Sequence, residues 1–436
     1  MFLLRKQQLV LIIFSVALAA RLGFVAVHGA LATTDASEYR LLARNILRFH
    51  AFSTSERPPM QPAICRPPVY PFFLALLLPL GGSPIVPVVA QAILDALVSV
   101  MIFLMASRVA RRPFAVAVSL LYALHPRAIS ASASVLSETL FTILLLAAVF
   151  LALMAAERLS VALAFCCGAL FGLATLTRSI AVLYLIAVAC VLIVRRFRRT
   201  ALVVMLGAVV IIAPWIVRSS RIAGRFVFVQ APSFTNWYLP TLWWLDQNDE
   251  PALWRYFFTT DPYGAHINAA RTPAEVMRAD DFGRQRAIAN IRRNPRVYLR
   301  SRMRAFPHLF LSTFDHFTGI NRSLVDVVGA RDIPALTIKL GLLLLFTALP
   351  MAAALLGLAA SRRTLTASIA ASMWIITLAV HAPMWIEYRY FFPVVPLQLV
   401  TAALGIQIAI DRIRSRVRNA KIDSDHLPHF AISEER

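Results

Sequence analysis

Carboxylates and arginines recur beside the apolar segments of this sequence, where charge is expensive. The stretch "TTDASEYRLLARNIL", residues 33–47, follows the first long apolar run and sets Asp35 and Glu38 at the start of an amphipathic helix. The pair reads either as a helix cap with its capping-box partner or as chemistry. In the second reading Asp35 is a general base at the water–membrane boundary, where partial desolvation raises its pKa toward a useful value. Glu38 and Tyr39 then stand beside it as positioning groups. "CRPPVY" fixes Arg66 ahead of two prolines, a rigid turn that either aims a guanidinium at the membrane or simply joins loop to helix. "VLSETLF" opens an apolar helix with Glu138, a costly place for a carboxylate unless it caps, is solvated or is paired. "TLTRS" sets Arg178 between two apolar runs, "APWIVRSSR" sets Arg218 at the end of another, and "EYRYFFP" groups Glu387, Arg389 and Tyr390. Each alone reads as a snorkelling or capping residue. Together they place carboxylates and arginines on one side at similar depth, as an enzyme acting on a lipid phosphate requires.

The elements that must position them are membrane helices. The chain has 436 residues, 59% of them hydrophobic, with mean hydropathy +0.69. Its apolar runs approach the ~20 residues that cross a bilayer as helix. The fold class is therefore all-α and polytopic. The net charge of +22 sits in short bursts between apolar runs, which marks topology signals rather than a nucleic-acid surface. All the cationic side chains but Lys6, Lys339 and Lys421 are arginine, which suits bidentate phosphate contact and equally suits codon bias. Cys65, Cys166, Cys167 and Cys190 imply no disulfide framework. The N-terminus resembles a secretory signal, yet its apolar run continues past Arg21 to about Val27, so it reads as a retained helix.

The basic bursts predict about ten transmembrane helices with both termini in the cytoplasm. Residues 1–217 form an N-terminal transmembrane module with an external first loop at 29–83. Residues 218–334 form a larger external loop, 335–411 the C-terminal helices, and 412–436 a disordered cytoplasmic tail. "VYPFFLALLLPL" is short for a span and reads as an interfacial or re-entrant helix. In the large loop, Thr272, Pro273 and Glu275 of "TPAE" predict a capped helix start, and a second helix follows Pro295. Four of the seven tryptophans fall in "NWYLPTLWWLDQNDEPALW", as an interfacial belt or, through Trp237 and Trp243, as a stacking surface for sugar or lipid.

The motif order resembles the GT-C glycosyltransferases, in particular the bacterial family 39 group that includes protein O-mannosyltransferases and the lipid A aminoarabinose transferase. The resemblance rests on "DASEYRLLARNIL", "AFS", "RPPVYPFFLALL", "LSETLF", "GLATLTRS", "APWIVR", "NPRVYL" and "RYFFPVVPL" and covers most of the chain. It implies a GT-C fold and a catalytic base at Asp35. It also implies a lipid-phosphate contact at Arg66, where some members have lysine, and a second acidic site at Glu138, where others have aspartate. A basic site falls at Arg178 and a tyrosine before proline at Tyr390. Arg218 and Arg389 join the phosphate-binding set from position alone. The implied donor is a polyprenyl monophosphate sugar. The implied acceptor is an envelope hydroxyl on lipid A, another glycan or a protein, reached at the periplasmic face of a bacterial inner membrane. Besides membrane lipids, these substrates are the expected partners, and nucleic acid is not among them. No cofactor is called for; Asp35 and Glu138 are ligand types for a divalent cation, without a complete ligand set.

Other classes find less support. Asp95 in "QAILDALVSV" suits a translocation path in a transporter or flippase, or a pair within the bundle. A non-catalytic sensor of lipid-linked glycan would keep the fold without the reaction. There is no G-x-x-x-x-G-K loop or H-E-x-x-H pair, and the sequon at Asn321 implies nothing by itself.

Overall fold

The computed structural model of the chain describes residues 5–31, 33–243, 250–311, 314, 318–320 and 324–425. The sequon at Asn321 and Trp244 lie outside them. The regular structure of the described residues is helical, with one isolated bridge between Leu31 and Ser134. The helices are α1 (Lys6–His28), α2 (Thr34–Phe49), α3 (Val69–Leu77), α4 (Ile85–Ala106), α5 (Arg112–Ala123), α6 (Pro126–Ser132), α7 (Glu138–Arg158), α8 (Val161–Thr175), α9 (Ala181–Val194) and α10 (Arg198–Ala223). The large loop adds α11 (Glu250–Thr259), α12 (Pro262–Ala269), α13 (Pro273–Arg293) and α14 (Pro295–Ala305). The C-terminal part holds the span α15 (Ile333–Ser361), then α16 (Leu365–His381) and α17 (Val395–Asp425).

Among the described residues, six helices are long and apolar enough to cross a bilayer, and the pair α5 and α6, bent by 50°, makes a seventh if it counts as one span. The count of ten is not confirmed, because α8, α9 and α16 are apolar but short. At 1.5 Å per residue, a 14- or 15-residue helix falls well short of the hydrocarbon thickness. The chain is a multi-pass membrane protein all the same. The stretch 69–80 is a short apolar helix ending in a 3-10 turn, with Phe72, Leu76 and Leu80 exposed, as an interfacial element should be. Of the expected tail, residues 412–425 continue α17 as helix, since arginine, lysine and alanine are good helix formers, and residues 426–436 lie outside the described residues.

Two features hold the bundle. Where membrane helices approach closely, glycine replaces side chain. A Cβ on Gly168 of α8 would lie 2.0 Å from the Val204 carbonyl of α10, and one on Gly405 of α17 would lie 1.8 Å from Ala353 O of α15. The second feature is a buried ion pair. Arg21 Nε donates to Asp95 Oδ2 at 2.7 Å, its Nη1 donates to the carbonyls of Ala17 and Ala123 at 2.8 Å, and Tyr122 donates to Asp95 Oδ1 at 2.8 Å. Asp95 thereby locks α1, α4 and α5 together and is not open to a translocation path.

The loop helices follow their local signals. Thr272 accepts from the Glu275 N–H at 3.3 Å while Glu275 accepts from the Thr272 N–H at 3.0 Å, the reciprocal box expected at the start of α13. Asp280 on α13 accepts from the N–H groups of Ser233 and Phe234, which ties the segment after α10 to this helix. Arg302 of α14 donates to Met384 O at 2.8 Å, docking the loop on the turn before α17.

Candidate active site

Backbone hydrogen bonds bring five distant segments to one end of the bundle. The Leu31 N–H donates to Ala133 O at 2.8 Å, which seats the start of α2 beside the turn leading into α7. The Val69 N–H, three residues after Arg66, donates to Leu176 O at 3.0 Å, two residues before Arg178. Pro67 and Pro68 cannot donate, so this is the first amide after Arg66 able to anchor the turn. Gln91 of α4 donates to the carbonyls of Ser132 and Ser134 and accepts from Tyr70, fixing α3 and the 126–137 turn. The Trp385 N–H donates to Asn236 O at 2.8 Å, joining the large loop to the turn that carries Glu387 and Arg389.

The result is an interleaved set of carboxylates and guanidiniums. Arg66 Nη2 lies 2.8 Å from Asp35 and 2.6 Å from Glu38, and its Nε donates to Glu38 at 2.8 Å. Arg178 pairs with Glu138 at 2.8 Å. Arg389 lies 2.5 Å from Glu387 and reaches between the first two groups, 3.6 Å from Asp35 and 3.8 Å from Glu138. Tyrosines supply the walls. The Tyr39 ring lies 5.1 Å from the Arg66 guanidinium, and Tyr390, stacked on His381, lies 5.8 Å from that of Arg178 and 5.6 Å from that of Arg389. Such faces attract guanidinium by their quadrupole and favour its position beside the ring.

The electrostatics revise one expectation. Burial is the largest influence on Asp35 and would raise its pKa, but Arg66, Arg389 and Arg178 together overcome it and hold the carboxyl below its ordinary 3.8. Burial opposes charge on Arg66 and Arg178 too, and their anionic neighbours more than compensate. Desolvation is thus present as anticipated, while the arginines decide the sign. The capping reading also fails: α2 begins after Thr33, which makes no side-chain cap, and the Asp35 carboxylate goes to Arg66 instead.

Asp35, Glu38, Tyr39, Arg66, Glu138, Arg178, Arg389 and Tyr390 therefore come together. Arg218 does not join them. It donates to Ala63 O at 3.1 Å and lies 4.4 Å from the Trp215 ring, pinning the first loop to α10. Trp237 and Trp243 are half-buried on the segment 235–243 of the large loop. Glu387 completes the charged set and was legible only as part of "EYRYFFP". Arg127 was missed: in "HPRAIS" it reads as the end of a span, yet Glu138, Arg389 and Glu387 act on its charge. The donor set does not suit a divalent cation, because Arg389 stands between Asp35 and Glu138 and would repel it. Among the described residues no three of His, Cys, Asp and Glu gather as ligands.

A cavity of about 190 Å³ adjoins the cluster. Glu38, residues 61–65, Pro232 and residues 271–273 are among its lining. Glu38 belongs both to this cavity and to the Arg66 pair, so the two spaces meet at its carboxylate.

Comparisons with known proteins bear on the family and the fold. Residues 65–217 match the family model described as dolichyl-phosphate-mannose-protein mannosyltransferase. No curated protein matches the chain in sequence. The oligosaccharyltransferase of Archaeoglobus fulgidus, tethered to an acceptor peptide containing the NVT sequon, superposes with TM-score 0.53 at 12% identity, covering 94% of this chain and 50% of that one. The same organism's AglB, in complex with an inhibitory peptide and a dolichol-phosphate, gives 0.51 at 14% identity over 95% and 52%. ArnT from Cupriavidus metallidurans, bound to undecaprenyl phosphate, gives 0.42 at 17% identity over 92% and 77%. The chain spans about half the length of the archaeal structures. The resemblance to GT-C glycosyltransferases carried by the loop motifs is thus borne out by a family match over residues 65–217 and, across most of the chain, by a shared fold.

Proposed function

We infer that the protein is a membrane glycosyltransferase that moves a sugar from a polyprenyl monophosphate donor to a hydroxyl of an envelope acceptor, with inversion at the anomeric carbon. The observation that carries this reading is the convergence of Asp35 and Glu138 with Arg66, Arg178 and Arg389 at one end of a membrane bundle. The donor's tail stays in lipid while its phosphate meets the arginines and Tyr390. Phosphate leaves without protonation, so guanidinium contacts that strengthen as charge builds on it lower the barrier. The acceptor enters from the cavity beside Glu38. Its oxygen attacks the anomeric carbon as its proton passes to Asp35, and the carbon–oxygen bond to phosphate breaks with its electron pair on the phosphate. As the phosphate draws Arg66 and Arg389 toward itself, Asp35 loses the cations that suppress its basicity. Glu138 orients the sugar, and the large loop, with Trp237 and Trp243, roofs the acceptor.

The reading places the site on the periplasmic side of a bacterial inner membrane, with both termini in the cytoplasm. Arginines at the opposite helix ends support that orientation: Arg108 pairs with Glu157, Arg111 with Asp411, and Arg195 donates to Ser368 at 2.6 Å. The test supplies purified protein in lipid with labelled polyprenyl monophosphate sugars and an envelope extract, then determines the labelled product and its anomeric configuration. A product of inverted configuration is expected. Retention of configuration would exclude direct attack by the acceptor.

A further inference from the structure

The arginines of the charged set are already engaged by carboxylates before any donor arrives. Asp35, Glu38, Glu138 and Glu387 outnumber the three arginines paired with them, Arg66, Arg178 and Arg389. An incoming phosphate would therefore meet cations already held by carboxylates, inside a set with an excess of negative charge. Arg127 stands apart from those pairs. It sits in the first turn of α6, its guanidinium 6.0 Å from the Tyr388 ring, and its buried Nε has no hydrogen-bond partner. Glu138, Arg389 and Glu387 are the charges that act on it, so it borders the same site. A buried guanidinium donor left unpaired costs free energy that a ligand can recover. A second buried polar atom of the cluster, Glu138 Oε2, also lacks a partner. One orphan donates and the other accepts, which suits a phosphate oxygen linked to a hydroxyl-bearing sugar.

We propose that Arg127 is the guanidinium that receives the donor phosphate first, ahead of the arginines already engaged by carboxylates. This rests on the reading of a polyprenyl-phosphate donor. Capture at Arg127 supplies the charge that the resting set lacks, and Arg66 and Arg389 then exchange Asp35 for phosphate. Tyr388 presents its ring to hold the guanidinium in place.

The test measures equilibrium binding of a fluorescent short-chain polyprenyl monophosphate to the full-length protein in neutral-lipid nanodiscs, separately from any transfer. Arg127→Gln is expected to weaken binding about tenfold or more, as loss of a charge-assisted contact does. Asp35→Asn, which leaves Arg66 with one carboxylate fewer, is expected to bind as tightly as wild type or tighter. Equal binding by Arg127→Gln and wild type overturns the proposal. If Arg127→Gln does not fold, Arg127→Met, which also removes the charge but keeps the apolar stem, decides: weaker binding supports the proposal, and unchanged binding overturns it. Absence of binding by wild type would instead overturn the donor reading beneath it.

Discussion

Replacing Arg66 by glutamine tests how the resting site is held together. Arg66 bridges Asp35 at 2.8 Å and Glu38 at 2.6 Å, and the side chains involved are 26–30% exposed. Fully exposed pairs contribute about 0.2–1 kcal/mol, and breaking a buried one costs about 3–5. A partly exposed bridge to two carboxylates falls between, and about 2 kcal/mol is expected for Arg66→Gln. The pH dependence follows from Asp35. Its carboxyl is held below 3.8 in the folded protein, so its contribution to stability is full above that ordinary value and is lost as pH falls through the lower folded one. In Arg66→Gln, burial remains with only Arg389 and Arg178 opposing it. The folded pKa rises toward the ordinary value, so less stabilisation is present at neutral pH and the part of the acid loss that Asp35 causes becomes smaller. The assay is the thermal midpoint in nanodiscs from pH 3 to 7 for wild type, Arg66→Gln, Asp35→Asn and the double variant. A double-mutant cycle should give a coupling of about 1 kcal/mol or more. Coupling indistinguishable from zero, with an acid loss in Arg66→Gln as large as in wild type, would refute the argument.

Other consequences of the geometry are equally open to measurement. Asp95→Ala leaves Arg21 charged and unpaired among α1, α4 and α5, and should destabilise by about 3–5 kcal/mol; Arg21→Met in the same chain should restore much of that, measured by urea-dependent unfolding in micelles. Gly168→Leu should separate α8 from α10, because its Cβ alone would already meet Val204 O, and a lower thermal midpoint together with lower yield of folded protein should follow. Once donor phosphate draws Arg66 and Arg389 away, burial pushes Asp35 up. The acid limb of kcat, which reports the complex, should therefore lie at higher pH than that of kcat/KM for the donor, which reports the free enzyme. Coincident limbs would show that the arginines stay with Asp35.

The sequence made the helices and most of the charged set legible, because apolar runs and the cost of charge beside them are local properties. Asp35, Arg66, Glu138, Arg178 and Arg389 stood out as ions at helix ends, and all five meet in space. What sequence could not order was the balance around them. Whether Asp35 is raised by burial or lowered by arginines depends first on Arg66, 2.8 Å away, and then on Arg389, more than three hundred residues along the chain, reaching within 3.6 Å. Arg218 looked equivalent to Arg178 at a helix end, but the carbonyls of residues 52 and 63 fold back to it and take its donors. Arg127 was hidden by the opposite effect: Pro126 starts a short helix bent from α5, which turns an arginine read as a span terminus toward the site. The short α8, α9 and α16 likewise carry the apolar signature of spans without their length.

The most direct test of the central claim is whether purified protein, given polyprenyl monophosphate sugar and acceptor, releases free polyprenyl phosphate in a way that depends on Asp35. Release by wild type and its loss in folded Asp35→Asn is the predicted result. Equal release by Asp35→Asn, or no release from protein that binds polyprenyl phosphate, would contradict it.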